Sequence, residues 1–299
     1  MIVYLVLAVL ASTLMALGLL VMKSRAGALP EARGAQIVGA VRSWIRDPTW
    51  SAGMGLQIAG WVLYVIAVSQ APVSMVAVMM QGGIALFVIF SVVVHGERAR
   101  PAEWAGIAAI GIGMILLSIS LSAGAAQGAG NARVVIGLAV VLAAAAALPF
   151  ANSRLARSGI AQAIGSGIAF GLAGLFTKAM TDVFEASTAG VATGILANPW
   201  IPAMVAANLT GMVMLQNSFH HSRGIITMPL SSALSNLVPI AGGMIAFGEH
   251  LPGDPVAAAM RIAAFLLTIA ASAGLAIAEE EKSAEQSASV SKVFQSGAF

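Results

Sequence analysis

Nine stretches of this chain are long and apolar enough to cross a lipid bilayer, and that constrains its fold more than any other feature. They run Ile2–Met22, Trp50–Val68, Val73–Val94, Ala102–Leu121, Val134–Phe150, Gly159–Met180, Trp200–Phe219, Ile225–Phe247 and Pro255–Ala278. In hydrocarbon every backbone N–H and C=O must find its partner within the protein, so single spans of this length are α-helices. Composition agrees. Only 9% of the residues are charged, against about a quarter in a soluble domain. The expected class is an all-α polytopic membrane protein. The first stretch lacks a basic segment ahead of it and is too long for the apolar core of a secretion signal, so it reads as the first helix. Between Asp182 and Asn198 the chain is moderately apolar, but Asp182 and Glu185 would be costly in lipid, and an outer loop is expected there.

Lysine and arginine set the orientation. With nine spans, Lys23, Arg25, Arg33, Arg42, Arg46, Arg98, Arg100, Arg154, Arg157, Arg223, Lys282 and Lys292 all fall on one side. The loops of the other side hold only Arg133, while Lys178 and Arg261 fall inside spans. The basic side is expected to be cytoplasmic in a plasma (inner) membrane, with the N-terminus outside and the C-terminus inside. Because these charges sit in short loops, the net charge of +3 implies no nucleic-acid partner. The chain has no Cys, which excludes disulfides and thiolate metal sites.

The two halves of the sequence echo each other. Gly60–Trp61, Gly96–Glu97–Arg98, Pro101 and Ile107–Ala108–Ala109 reappear as Gly211–Met212, Gly248–Glu249–His250, Pro255 and Ile262–Ala263–Ala264, offset by 151 to 155 residues. Upstream of each set lies a glycine-containing apolar run ending in lysine, at Lys23 and Lys178. The first and sixth spans run in opposite senses, so these are expected to be inverted repeats, which in secondary transporters meet at the substrate site. The expected division is a first repeat over 1–122, a connecting helix within 123–158, a second repeat over 159–278 and a disordered polar tail over 279–299. Within the first repeat, the linker 31–48 carries Ile37, Val38, Val41, Trp44 and Ile45 at helical spacing beside Arg42 and Arg46. It reads either as an amphipathic helix on the inner leaflet, facing membrane lipid, or as a helical linker packed on the bundle.

Neutral polar residues inside the spans are the candidates for a central cavity. Gln57, Trp61 and Tyr64 share one helical face. Gln81 lies inside the third span, Asn208 with Gln216 and Asn217 in the seventh, and Ser231, Ser232, Ser235 and Asn236 in the eighth, ahead of Pro239. Each polar group in lipid needs a neighbour or water. As a group they suit a cavity; taken singly, each serine fits an ordinary interhelical hydrogen bond. Glu97 and Glu249 are gate or charge-partner candidates, set against the plainer reading of a glycine-capped turn with the carboxylate in water, which is favoured. Lys178 and Arg261 are further charge candidates. Lys23 and Lys178 can also snorkel to the interface, and Arg261 can point outward or into the cavity. The pair His220–His221 lacks the three or four ligands of a stable metal site. No phosphate loop or nucleophile–base pair is visible, so neither cofactor, metal nor enzymatic activity is expected.

Taken together, these features resemble the drug/metabolite transporter superfamily with its EamA-type permeases, and most of all its NIPA-like branch of proposed magnesium transporters. The resemblance runs from the first span to the ninth. It is carried by Gly60–Trp61, Ala71–Pro72, Val76, Gly96–Glu97, Gly106 and Gly113, then by Lys178, the polar eighth span and Gly248–Glu249. It implies nine spans, an outside N-terminus and a basic loop after the first helix. In that branch an acidic residue follows the glycine of the second span, where this chain has Trp61, and a proline stands where it has Val78. Magnesium wants carboxylate or carbonyl oxygen, whereas an aromatic suits an organic solute. The leading expectation is therefore a carrier of a small organic metabolite or amphiphile working by alternating access. The alternatives are a magnesium or divalent-cation transporter and a non-transporting scaffold. A homodimer stays open.

Overall fold

The computed structural model describes residues 2–70, 73–121, 131–186, 198–248 and 250–295. They form helices α1 (Ile2–Ser24), α2 (Ile37–Arg46), α3 (Pro48–Gln70), α4 (Val73–His95), α5 (Pro101–Leu121), α6 (Ala132–Ala151), α7 (Ser153–Ala156), α8 (Gly159–Ala186), α9 (Trp200–His221), α10 (Gly224–Ala246) and α11 (Pro255–Gln295). No strand occurs among the described residues. Among the described residues seven helices are long and apolar enough to span a membrane, and Gly82–His95 in α4 forms a shorter apolar stretch. The protein is therefore a multi-pass, all-helical membrane protein. Helix α9 is long enough but less apolar, because it carries Asn208, Gln216, Asn217, His220 and His221.

Helix starts follow local chemistry. Asp47 and Asp254 each precede a proline, which has no N–H to satisfy in the first turn. Their carboxylates accept from the N–H of Trp50 at 2.8 Å and of Ala257 at 2.8 Å. Asp47 also takes the Arg25 guanidinium at 2.7 Å, and this ion pair holds its carboxyl below the usual carboxylate range. At the other ends, Gly96 and Gly248 adopt φ of 64° and 62°, the left-handed geometry that glycine enters without strain, so α4 and α10 stop in the same way.

The two halves pack alike. Helix α1 lies antiparallel to α3, with Gly18 against Gly53 and Met15 against Gly60, and parallel to α4, with Ser12 against Gly83. Helix α8 repeats this arrangement. It runs antiparallel to α9, where the Ser166 hydroxyl donates to the Gly211 carbonyl at 2.8 Å, and parallel to α10, where Gly167 meets Ser231 and Gly171 meets Val238. Helix α5 lies antiparallel along α11, with Gly106 against Leu275. The end of α4 meets the start of α10, so those two helices oppose each other. Close approach is what these small residues supply. Gly111, by contrast, has open space around it.

Several expectations are corrected. The segment from Glu279, expected to be disordered, continues α11 as a helix to Gln295. Glu279 is pinned by Arg223, and Glu281, Lys282, Ala284, Glu285 and Gln286 are good helix formers despite the serines among them. Asp182 and Glu185, expected in a loop, belong to α8; residues 187–197 lie outside the described residues. Trp50, in the first turn of α3, is buried against Trp44, with ring centroids 5.9 Å apart.

The α1–α3 contact yields a direct test. A Cβ on Gly60 would lie 2.6 Å from Met15 Cγ and 2.8 Å from the Ala11 carbonyl, whereas one on Gly55 would meet nothing within 4 Å. Overpacking of this kind costs about 1–3 kcal/mol. Gly60→Val is expected to lower the thermal midpoint of the solubilised protein clearly below that of Gly55→Val, which carries the same change in helix propensity.

Candidate transport cavity and its charged closure

Two adjoining cavities, about 360 Å³ and 490 Å³, lie where α1, α3 and α4 face α10, the larger reaching on to α8 and α9. They share Met15, Leu19, Trp61, Met228 and Ser232 as walls. Ser12, Tyr64 and Asn236 complete the polar lining of the smaller one; Gln57, Asn208, Ser231 and Ser235 line the larger. The structure thus brings together Gln57, Trp61, Tyr64, Asn208, Ser231, Ser232, Ser235 and Asn236, while Gln216 and Asn217 line neither cavity and the side chain of Gln81 lies outside the described residues although its backbone belongs to α4. None of the described lining residues is ionisable at neutral pH. The rest of the wall is aliphatic, aromatic and thioether, including Ile84, Leu215, Phe87, Phe170, Met54, Met80 and Met212.

Local bonding orients the polar groups. The Asn236 amide N–H donates to the Ser232 carbonyl at 2.8 Å, and the Ser235 hydroxyl donates to the same oxygen at 2.9 Å. Pro239 has no N–H, so the Ser235 carbonyl loses its usual helical donor beside the cavity. Trp61 is 58% exposed, open to the outside of the bundle as well as to the cavity. Asn208 is exposed and donates to the Met204 carbonyl at 3.0 Å.

One helical turn from the cavity floor lies a charged lock. Leu19, Phe87 and Met228 form the floor, and a step of four residues from each reaches Lys23, Ser91 and Gly224. Lys23 is ion-paired to Glu97, and both are largely buried. The Glu97 carboxylate also accepts the N–H of Gly224 and of Ile225, each at 3.0 Å, where the N-terminal dipole of α10 favours a negative charge. Beside it, Arg223 joins Glu103 of α5 at 2.6 Å and Glu279 of α11. Burial opposes the Arg223 charge, but the hydrogen bonds and charges of Glu103 and Glu279 outweigh it and raise its pKa above the ordinary guanidinium value.

This geometry changes several readings. Glu97 does not end a turn in water, and Lys23 does not snorkel. Arg261 neither snorkels nor faces the cavity. It is 2% exposed between α5 and α11, and donates to the Ser120 carbonyl at 3.0 Å and to the Ser120 hydroxyl at 3.4 Å. Lys178 sits with its ammonium 4.6 Å from the Phe247 ring centre. Glu249 lies outside the described residues. Asn217 leaves the cavity group: its amide clamps the backbone of Ala32, with both bonds at 3.0 Å. Ser231 lines the larger cavity, and its hydroxyl donates to the Ser166 hydroxyl at 3.1 Å, an interhelical bond. His221 lies 3.0 Å from a carboxylate oxygen of Glu31, and no cluster of metal-binding side chains occurs among the described residues. Sequence reasoning missed Glu103, Arg223 and Glu279 as a unit. The available signal was Glu103 in the first turn of an apolar helix, since a carboxylate so placed demands a cation.

Comparison with known proteins finds one informative relative. The chain is 27% identical over 247 residues, covering 76% of its own length and 69% of the other, to the Arabidopsis thaliana protein described as "Probable magnesium transporter NIPA9". No family model matches the chain. No solved structure matches it.

Removing Arg223 would leave two carboxylates facing each other out of water. Breaking a buried ion pair by deleting one partner costs about 3–5 kcal/mol. Arg223→Gln is expected to destabilise the solubilised protein by an amount in that range, read as a fall in thermal midpoint, and Glu103→Gln in the same background should restore part of it.

Proposed function

We propose that this protein is a secondary-active membrane transporter that passes its cargo through the cavity by alternating access, and that the cargo is magnesium or a similar hydrated divalent cation. The observation that carries the cargo is the similarity to a relative described as a magnesium transporter, which extends over most of both chains. The site can be reconciled with it. Magnesium dehydrates reluctantly and keeps several waters. Those waters would donate to neutral oxygens, and Asn236, Ser232, Ser235, Gln57 and Tyr64 offer such oxygens, together with the Ser235 carbonyl freed by Pro239.

The proposed architecture is two inverted repeats joined by α6, the first over α1–α5 and the second over α8–α11. The opposed directions of α4 and α10 support it. The Lys23–Glu97 lock would be the inner gate on the cytoplasmic side, leaving the N-terminus outside a plasma (inner) membrane. Lys178 and Glu249 would be its outer counterpart by repeat position. No nucleotide site is visible in the sequence, so uphill work would come from an ion gradient or exchange.

A second reading is favoured by the cavity walls. Four aromatic rings and five methionines make an adaptable, apolar surface without a carboxylate, which suits a small organic metabolite or amphiphile.

Proteoliposomes carrying an entrapped magnesium indicator separate the two. Saturable influx over empty liposomes is expected, with Trp61→Ala and Asn236→Ala each lowering the initial rate about tenfold, the equivalent of one lost contact of roughly 1.4 kcal/mol. Absence of flux from folded, inserted protein would turn the cargo to an organic solute; wild-type rates in both variants would remove the site. The gate has its own test, because the chain has no Cys. With Ser232→Cys as the sole thiol, Glu97→Gln is expected to raise labelling by an impermeant reagent applied from the Lys23 end. Equal labelling with and without Glu97→Gln would mean that Glu97 does not close the cavity.

A further inference from the structure

Helix α2 has two working faces, and only one is spent on the protein. Ala40 and Trp44 are buried against the bundle, and the Trp44 indole N–H donates to the Pro30 carbonyl at 2.8 Å. On the outward side Val38 is 78% exposed and Ile45 is 61% exposed. Arg42 lies between them at the i+4 position, and Arg46 follows Ile45, both exposed. Apolar side chains alternating with guanidinium groups on an outward face make a poor water-facing surface and a good headgroup-facing one.

The charge pattern points the same way. The stretch from Arg25 to Asp47 contains four arginines and two carboxylates. Each carboxylate is used internally: Glu31 by Arg33 and His221, Asp47 by Arg25. Arg42 and Arg46 therefore carry the surplus, with no ion pair among the described residues. The helix also sits at the end of the bundle that holds the Lys23–Glu97 lock, since Trp44 packs in one cluster with Met22, the neighbour of Lys23.

We propose that the outward face of α2 is a binding site for anionic phospholipid, with Arg42 and Arg46 on the phosphate and Val38 and Ile45 in the upper acyl region. A guanidinium offers paired N–H donors that match phosphate oxygens, and a phosphate diester at a membrane surface is the anion this geometry fits. The site does not depend on which cargo the cavity carries.

The test uses the full chain and two probes, phosphatidylglycerol and phosphatidylcholine, with retained lipid counted by native mass spectrometry after matched delipidation. The wild type is expected to keep phosphatidylglycerol in preference to phosphatidylcholine. The double variant Arg42→Gln/Arg46→Gln should retain about tenfold less of it. Arg154→Gln/Arg157→Gln removes two exposed arginines from the same end and should retain it as the wild type does. Arg42→Lys/Arg46→Lys should fall between wild type and the glutamine pair, because it keeps charge and loses the fork. Three results would overturn the site: no preference in the wild type, unchanged retention in the α2 glutamine variant, or equal loss in the Arg154/Arg157 variant. Should the glutamine pair fold poorly, the lysine pair carries the comparison, and retention equal to the wild type would count against the fork geometry at α2.

Discussion

A carboxylate shared between a lysine and two backbone N–H groups is the joint on which the rest of this structure depends. An unpaired charge in a low-dielectric interior costs several kcal/mol. Glu97 avoids that cost by meeting Lys23 from α1 and the first turn of α10 at once. Gly224 makes the approach possible, because a Cβ there would fall 2.5 Å from the lysine nitrogen. The preceding residue, Arg223, extends the joint to α5 through Glu103 and to α11 through Glu279. Two consecutive residues at the start of one helix thereby tie four helix ends and the middle of α11 together.

The placement of charge has a consequence for whatever passes through. The ionic groups are concentrated in the closure, while the cavity above it is neutral. A cation held by neutral oxygens through its own water is bound weakly enough to leave, which a transport site requires. The same neutrality would let an organic solute dock on aromatic and thioether walls with no ionic partner. Under the proposed transport, charge sets the shape of the pathway more than its affinity.

Much of this was legible in the chain. Span-length apolar stretches gave the helices, and the spacing of Gly96–Glu97 and Gly248–Glu249 anticipated two helix ends that stop with nearly the same φ. The cavity group was legible because polar residues are so few in the spans. What stayed hidden were pairings across distance. Arg223 is 120 residues from Glu103 and 56 from Glu279, and no local rule connects them. Asn217 looked like a cavity residue but holds the Ala32 backbone, because at a helix end the nearest unsatisfied groups belong to a loop. The helical continuation past Glu279 was obscured by serine content, which outweighed the glutamates and alanines between them.

Helix α10 contains two internal prolines, Pro229 and Pro239. Each removes one rung from the helical ladder and crowds the carbonyl four residues back. The helix is therefore a jointed rod of three stiff pieces. Its first piece is clamped at Glu97, its middle piece carries Ser232, Ser235 and Asn236, and its last piece ends near Lys178 through Phe247. In such a rod the middle piece can tilt while the clamped end stays still, so the cavity wall and the Glu97 clamp need not move as one body.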